Sequence, residues 1–155
     1  MVRITLDKPY IPIPGPVTAI KYGLLYNWYA ATDARNICAE GWEVPGNSHY
    51  LTLIANTTNN VLTAGAPLKE TGSTYWGGSN LGATNEYGFN ARGAGWRLYD
   101  TGAFDFLNIE CNFMTITESG DKNTLRRLSY ANIVFGFGNH DKNYRSEERR
   151  VGKEC

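Results

Sequence analysis

The sequence has no excess of charge, few histidines and no long apolar run. Its 155 residues include 15 basic and 15 acidic side chains and two histidines, so the formal net charge is zero. Proteins that bind nucleic acids or anionic membranes usually do so through clustered positive charge. No apolar stretch approaches the roughly 20 residues that a membrane-spanning helix needs. The composition therefore predicts neither a nucleic-acid partner nor membrane insertion.

Sequence signatures of catalysis are also missing. His49 lies in a predicted helix and His140 in a late loop, so the two rings are not expected to converge with a carboxylate in a facial metal triad. The chain has no Gly-x-Ser-x-Gly nucleophile elbow. Its two late Gly-x-Gly segments, 93–95 and 136–138, lack the Lys of a phosphate loop and indicate turns. The sequence thus predicts no catalytic residue, no metal site and no cofactor.

The two ends differ in composition from the middle. Residues 1–20 form a Pro-rich arm, because the run from Pro9 to Pro16 favours an extended, polyproline-like conformation. No signal peptide is visible in this chain, since Asp7 lies where its apolar core should be. Residues 145–155 contain one aliphatic side chain and resemble the translation of a sequencing adapter. We expect this segment to be a non-native tail outside the fold; a solvated charged tail or helix is the alternative.

Between the ends, the pattern predicts a loop-rich α+β domain with 17 Gly and 6 Pro. Apolar and aromatic residues recur with helical spacing from Tyr22 to Ala31, which predicts a first helix that stops before Asp33. The same spacing predicts a second helix over about residues 47–56, capped by Gly46 or Asn47. Glycines between residues 65 and 95 indicate loops, and residues 124–137 indicate one or two short strands.

Five short motifs follow one another through the first two thirds of the chain. They are Tyr22–Ala31, Gly41–Pro45, Leu68–Gly72, Gly82–Glu86 and Gly93–Arg97. With weaker similarity continuing to residue 144, this string resembles the Fibrobacter succinogenes major paralogous domain family. The resemblance implies one domain over residues 21–144 with a C-type-lectin-like fold of the formylglycine-generating-enzyme type. Two short helices would pack on small antiparallel sheets.

The chain departs from the family pattern at two places. A core site that usually holds two Trp reads Phe113-Met114-Thr115-Ile116 here, and we expect it still to pack. After Tyr144 the family continues into a closing strand, whereas the adapter-like tail begins here. The resemblance therefore implies a truncated fragment without its last strand, and hence an open sheet edge.

The three cysteines leave the disulfide state open. Cys155 lies in the suspect tail, and the family partner implied for Cys38 would be in the absent closing strand. Cys38 and Cys111 either form a disulfide or remain buried thiols. The late cysteine pair of formylglycine-generating enzymes and the calcium motifs of true C-type lectins are both missing.

Motif aromatics and charges admit structural and functional interpretations. Trp28 and Trp42 are predicted to belong to the core scaffold. Tyr75 and Trp76 are candidates for an exposed stacking platform, with a core role as the alternative. The Lys69–Glu70 pair is interpreted as surface charge.

The late segment from Ser129 to Tyr144 is the main candidate for ligand binding. In diversified members of the resembled family, this region carries variable positions on an exposed face. An apolar anchor beside adaptable polar groups is typical of a paratope, although an ordinary loop between two strands explains the segment nearly as well. The positions that match the variable ones are Ala131, Ile133, Val134, Gly136, Phe137, His140 and Asp141, and Asn139 between them is a further candidate for ligand binding.

These observations favour a non-enzymatic domain that recognises a host-surface protein or glycan. The resemblance implies display on a virion or a bacterial cell surface, variation through a diversity-generating retroelement, and a phage-type member with a Pro-rich arm. The arm could also support a homo-oligomer. The alternatives are a purely structural module of a fibre or adhesin, and a degenerate enzyme of the formylglycine-generating type.

Overall fold

A computed structural model describes residues 20–144, 146–147 and 151–152. Helix α1 spans Trp28–Ala31 and helix α2 spans Asn47–Asn56. The strands are β1 (Leu25–Tyr26), β2 (Trp42–Glu43), β3 (Trp96–Arg97), β4 (Phe104–Asp105), β5 (Glu110–Ser119), β6 (Lys122–Ser129), β7 (Gly136–Asp141), β8 (Ser146–Glu147) and β9 (Val151–Gly152). The predicted Pro-rich arm, apart from Ile20, lies outside the described residues.

One five-stranded sheet organises the domain, in the order β1-β8-β5-β6-β7. Its neighbours are antiparallel except for β5 and β8, which are parallel. Strands β2–β9 and β3–β4 form two small antiparallel pairs. Long β5 and β6 are joined by a two-residue turn at Gly120, whose φ of +63° is a left-handed conformation that glycine adopts without strain. The class is therefore α+β, with small, mainly antiparallel sheets and short helices, as predicted.

Helix α2 packs on one face of the sheet, which we call the helix face. Its buried Tyr50 and Ile54 join Phe113 of β5 and Leu128 of β6 in the main core, and the Tyr50 and Phe113 ring centroids are 6.2 Å apart. On the opposite face, Met114 packs against Ala31 and Val44. The prediction that the altered core site still packs is confirmed for Phe113 and Met114. It is wrong for Ile116, which is exposed.

The predicted first helix is interrupted. Residues 20–22 are helical, but Gly23 then adopts φ +80°, and Leu25–Tyr26 form β1 before α1 begins. Asn27 caps α1 by accepting a hydrogen bond from Ala30 N at 3.0 Å. The glycine and the cap thus split the helical pattern, while the predicted end before Asp33 is confirmed.

The second helix agrees with the prediction. Helix α2 spans residues 47–56, and Gly46 is its N-cap. The ring of His49 accepts a hydrogen bond from Gly46 N at 3.0 Å, which supports a structural role for this histidine at the start of the helix. The late strands β6 and β7 also confirm the strand prediction over residues 124–137.

Part of the predicted tail lies in the sheets, contrary to the prediction of a tail outside the fold. Ser146–Glu147 of the predicted tail pair antiparallel with β1 and parallel with β5, and residues 151–152 pair with β2. Strand edges expose unpaired N–H and C=O groups, and backbone pairing with them requires no particular side chain. An extended segment that follows β7 can therefore complete the sheet whatever its sequence.

Candidate functional site

Strand β7 is an edge strand of the large sheet, and its side chains alternate between the two faces. Phe137 and Asn139 lie on the helix face and are exposed, with 54% of Phe137 accessible. Asp141 follows on the same face, where its carboxylate accepts a hydrogen bond from Asn143 N at 2.8 Å. Three of the predicted site residues are thus brought together along one exposed edge.

His140 is directed to the opposite face of the sheet, away from Phe137 and Asn139. Its ring meets Trp96 edge-on at 5.5 Å between centroids and lies 4.9 Å from the ring of Tyr144. Burial lowers the pKa of His140, and the positive charges of Arg127 and Lys122 lower it further. The period-two alternation of a strand separates His140 from Phe137 and Asn139, which a loop assignment could not reveal.

The loop before β7 carries the other predicted residues. Ala131 is exposed, and Val134 is half-buried. Ile133 is also half-buried and packs over Gly82, where an added Cβ would lie 2.5 Å from Ile133 Cγ2. The buried Phe135 ends the loop and anchors it in the main core. Ala131 is therefore the most exposed of these three positions.

The main chain of this loop is held by other segments through backbone atoms. Gly65 N donates to Ile133 O at 2.8 Å and Leu81 N donates to Tyr130 O at 2.8 Å. Phe135 N donates to Val61 O at 2.9 Å. None of these three hydrogen bonds involves a side chain of the loop. Two others do: Val134 N donates to Asn132 Oδ1 at 3.0 Å, and Ala131 N donates to Ser129 Oγ at 3.3 Å.

Lys69 completes this anchoring and is not a surface charge as predicted. The side chain is fully buried, and its Nζ donates to Leu81 O at 2.9 Å, Ser129 O at 3.1 Å and Asn132 O at 2.8 Å. An ammonium has three donors, and each finds a main-chain carbonyl here. Desolvation lowers the pKa of Lys69 to about 8. Glu70 is half-buried and pairs with Arg92.

The predicted aromatic platform is buried, so this part of the site prediction is wrong. Trp76 is 1% exposed and its indole N–H donates to Ala91 O at 2.9 Å. Tyr75 is half-buried beneath the guanidinium of Arg92, 3.9 Å from the ring centroid. Tyr75 and Trp76 therefore stabilise the scaffold and present no stacking surface.

The two tryptophans assigned to the scaffold differ. Trp28 packs beside Met114, and Lys142 Nζ lies 4.2 Å from its ring centroid, as expected of a scaffold residue. Trp42 is 47% exposed, so its core assignment is wrong. It lies in the two-residue strand β2, at the rim of the domain, where little packs over it.

The metal-ligating side chains and the cysteines are dispersed over the described residues. Within the described ranges, no three His, Cys, Asp or Glu side chains are grouped as a metal site. Cys38 and Cys111 are both thiols there; Cys111 is fully buried and Cys38 is half-buried. Cys155 lies outside the described residues.

Fold and surface together define a small, loop-rich α+β domain that presents an edge strand and a main-chain-anchored loop. The sequence model of the Fibrobacter succinogenes major domain matches residues 5–150, and the chain belongs to this family. Searches of curated proteins and of solved structures gave no match. Among the described helices, none has the length and apolar character to cross a bilayer.

Proposed function

We propose that this domain is a non-enzymatic ligand-recognition module with a C-type-lectin-like fold, displayed by a phage-like particle or a bacterial surface protein. It binds a host-surface protein or a glycan through the late surface, which comprises Ala131, Ile133, Val134, Phe137, Asn139 and Asp141. The Pro-rich sequence of residues 9–16 supports an arm that attaches the domain to a larger assembly.

The main-chain anchoring of the loop is the observation that carries this proposal. Lys69 holds two carbonyls of the loop, at Ser129 and Asn132, and three backbone hydrogen bonds hold Tyr130, Ile133 and Phe135. A loop that is already ordered loses less conformational entropy when it binds. The side chains of Ala131, Ile133 and Val134 take no part in these bonds, so substitutions there leave the bonds intact, which favours a surface diversified by a retroelement.

The exposed residue types also support recognition. Phe137 gives a large apolar contact with few rotatable bonds, and Asn139 supplies an amide donor and acceptor beside it. Ala131 leaves room for a protruding group of the ligand. This mixture is typical of binding surfaces that combine a rigid anchor with adaptable polar groups.

A glycan and protein array tests the proposal. The Phe137→Ala/Asn139→Ala double variant should no longer bind the array components that the unaltered chain binds. The control is Tyr87→Ala, because Tyr87 is 50% exposed and lies outside the late surface. Binding that survives the double variant, or no binding by the unaltered chain to any array component, would contradict the proposal. A reverse transcriptase gene and a template repeat beside the coding sequence would support diversification.

A further inference from the structure

Arg126 carries a buried guanidinium, and the ion pairs between described side chains do not include it. It lies in the middle of β6 and is 4% exposed. One terminal nitrogen donates to Asn47 Oδ1 at 2.9 Å, whereas Nε is buried and has no hydrogen-bond partner among the described residues. Buried charges are usually paired. A bound anion would balance the charge of this guanidinium and accept a hydrogen bond from its Nε–H.

The guanidinium lies at the N-terminus of a regular helix. Asn47 is the first residue of the ten-residue helix α2, whose first turn contains no acidic residue. Its own N–H donates to Thr117 Oγ1 at 2.9 Å, which ties the helix end to β5. The aligned peptide dipoles place partial positive charge at this end. The N-terminus of α2 and the Arg126 guanidinium therefore both contribute positive electrostatic potential to the same region.

Acidic groups near this end compensate little of that charge. Glu43 Oε1 lies 3.6 Å from His49 Nε2, but the Glu43 side chain is 66% exposed and is largely screened by solvent. The remaining ion pairs in the described ranges join Asp33 to Arg35, Glu70 to Arg92, Glu110 to Arg127 and Glu118 to Lys142. None of them includes Arg126.

Phe137 covers the guanidinium from the late surface. The Arg126 Cζ atom lies 5.2 Å from the centroid of the Phe137 ring and 6.0 Å from that of Phe135. Phe135 is fixed in the core, but Phe137 is 54% exposed on an edge strand. Exposed side chains change rotamer on the picosecond to nanosecond scale. Rotation of the Phe137 ring would uncover the side of the guanidinium that it contacts.

We propose that Arg126 and the first turn of α2 form a subsite for an anionic group, a carboxylate or a sulfate, with Phe137 as its movable cover. The planar guanidinium suits the two oxygens that either group presents. This subsite rests on the proposed function, because it would read the charged group of a ligand bound at the late surface. It predicts that acidic or sulfated ligands are preferred over neutral ones.

Titration with sodium sulfate tests the subsite without any macromolecular ligand. Nuclear magnetic resonance would follow the Arg126 Nε–H signal and the first-turn amides of α2, with sodium chloride holding ionic strength constant. Saturable shifts at these signals are expected in the unaltered chain, and Phe137→Ala should bind at least as tightly because the cover is removed. Shifts that are linear, or spread evenly over the surface, overturn the proposal.

A pair of neighbouring arginines provides the matched variants. Arg126→Gln should weaken sulfate binding by at least about tenfold, as expected for lost hydrogen bonds to a charged group. Arg127→Gln should leave it unchanged, because Arg127 lies on the opposite face and its side chain is 51% exposed. Equal affinity in the two variants overturns the proposal. If Arg126→Gln does not fold, Arg126→Lys replaces it and should weaken binding, since a Lys ammonium is a point charge.

The two proposals fail separately. If sulfate binds at Arg126 but array binding does not require Phe137 and Asn139, only the proposed ligand-binding surface is contradicted. If array binding requires those residues but the Arg126 signal shows no saturable shift, only the anion subsite is contradicted. Loss of array binding to acidic ligands only, in Arg126→Gln or its Lys replacement, supports both.

Discussion

At the scale of single residues, Lys69 connects two loops that are distant in sequence. Its ammonium joins the segment around Leu81 to the loop that contains Ser129 and Asn132. A buried charge with no carboxylate beside it costs desolvation energy, and three carbonyl dipoles offset part of that cost. The residue therefore fixes the relative positions of two loops.

Replacement of Lys69 by Met should destabilise the domain by about 2–4 kcal/mol, because three main-chain carbonyls lose their donor while the hydrophobic volume is kept. Urea denaturation followed by tryptophan fluorescence measures the change. Lys122→Met, at an exposed position of β6, is the control and should cost less than about 0.5 kcal/mol. A loss below about 1 kcal/mol for Lys69→Met would mean that the carbonyls find water instead.

His140 should make the domain sensitive to mild acid. Its pKa in the folded chain is lowered from 6.5 by burial and by two nearby cations, so the unfolded chain takes up a proton first as the pH falls. Stability is then present above pH 6.5 and decreases as the pH falls through the folded pKa. His140→Phe keeps a ring against Trp96 and should reduce this loss. Unfolding free energies at pH 7 and pH 5 in both proteins measure it; equal pH dependence would contradict the assignment.

At the scale of secondary-structure elements, sequence signals predict an element correctly only where the residues that determine it lie within the element or next to it. Helix α2 was predicted because its apolar spacing and its start signal are both local. The helix predicted from Tyr22 failed because Gly23 and Asn27 interrupt a spacing that otherwise fits a helix. The burial of Lys69 could not be predicted, since two of its acceptors lie 60 and 63 residues further along the chain. His140 was misplaced because its face depends on the strand that contains it.

Packing between two elements predicts the effect of a glycine substitution. An added Cβ at Gly65 would lie 2.7 Å from Ile133 O, a main-chain atom of the anchored loop. Gly65→Ala should therefore displace the loop, cost about 1–3 kcal/mol and weaken ligand binding. Gly136→Ala is the matched control, because its Cβ would meet only ordinary contacts of 3.6 Å or more. Denaturation and the array measure both effects, and indistinguishable variants would show that the loop accommodates the methyl group.

At the scale of the whole molecule, the sheet links residues from both ends of the described chain. Ser146–Glu147 lie between β1 and β5, so the N-terminal strand is joined to the central hairpin through a late segment. Only main-chain pairing is described there. Backbone pairing at this position in the sheet requires no particular side chain.

Deletion of residues 145–155 should therefore expose the edges of β1 and β5, lower the unfolding free energy by about 1–3 kcal/mol and promote self-association. Denaturation and size-exclusion chromatography measure the two effects. A chain in which the same eleven residues are shuffled is the control and should keep most of the stability, because backbone pairing does not require their order. A shuffled chain as unstable as the deletion would show that these side chains matter.

The anchored loop has a practical consequence. Because its carbonyls and amides are held by Lys69, Gly65, Leu81 and Val61, substitutions at Ala131, Phe137 and Asn139 should change affinity without a matching change in melting temperature. A combinatorial library at these three positions would keep a large folded fraction. The domain is thus a starting point for engineered binders of acidic targets, in which the guanidinium beneath Phe137 stays constant while the residues around it are selected.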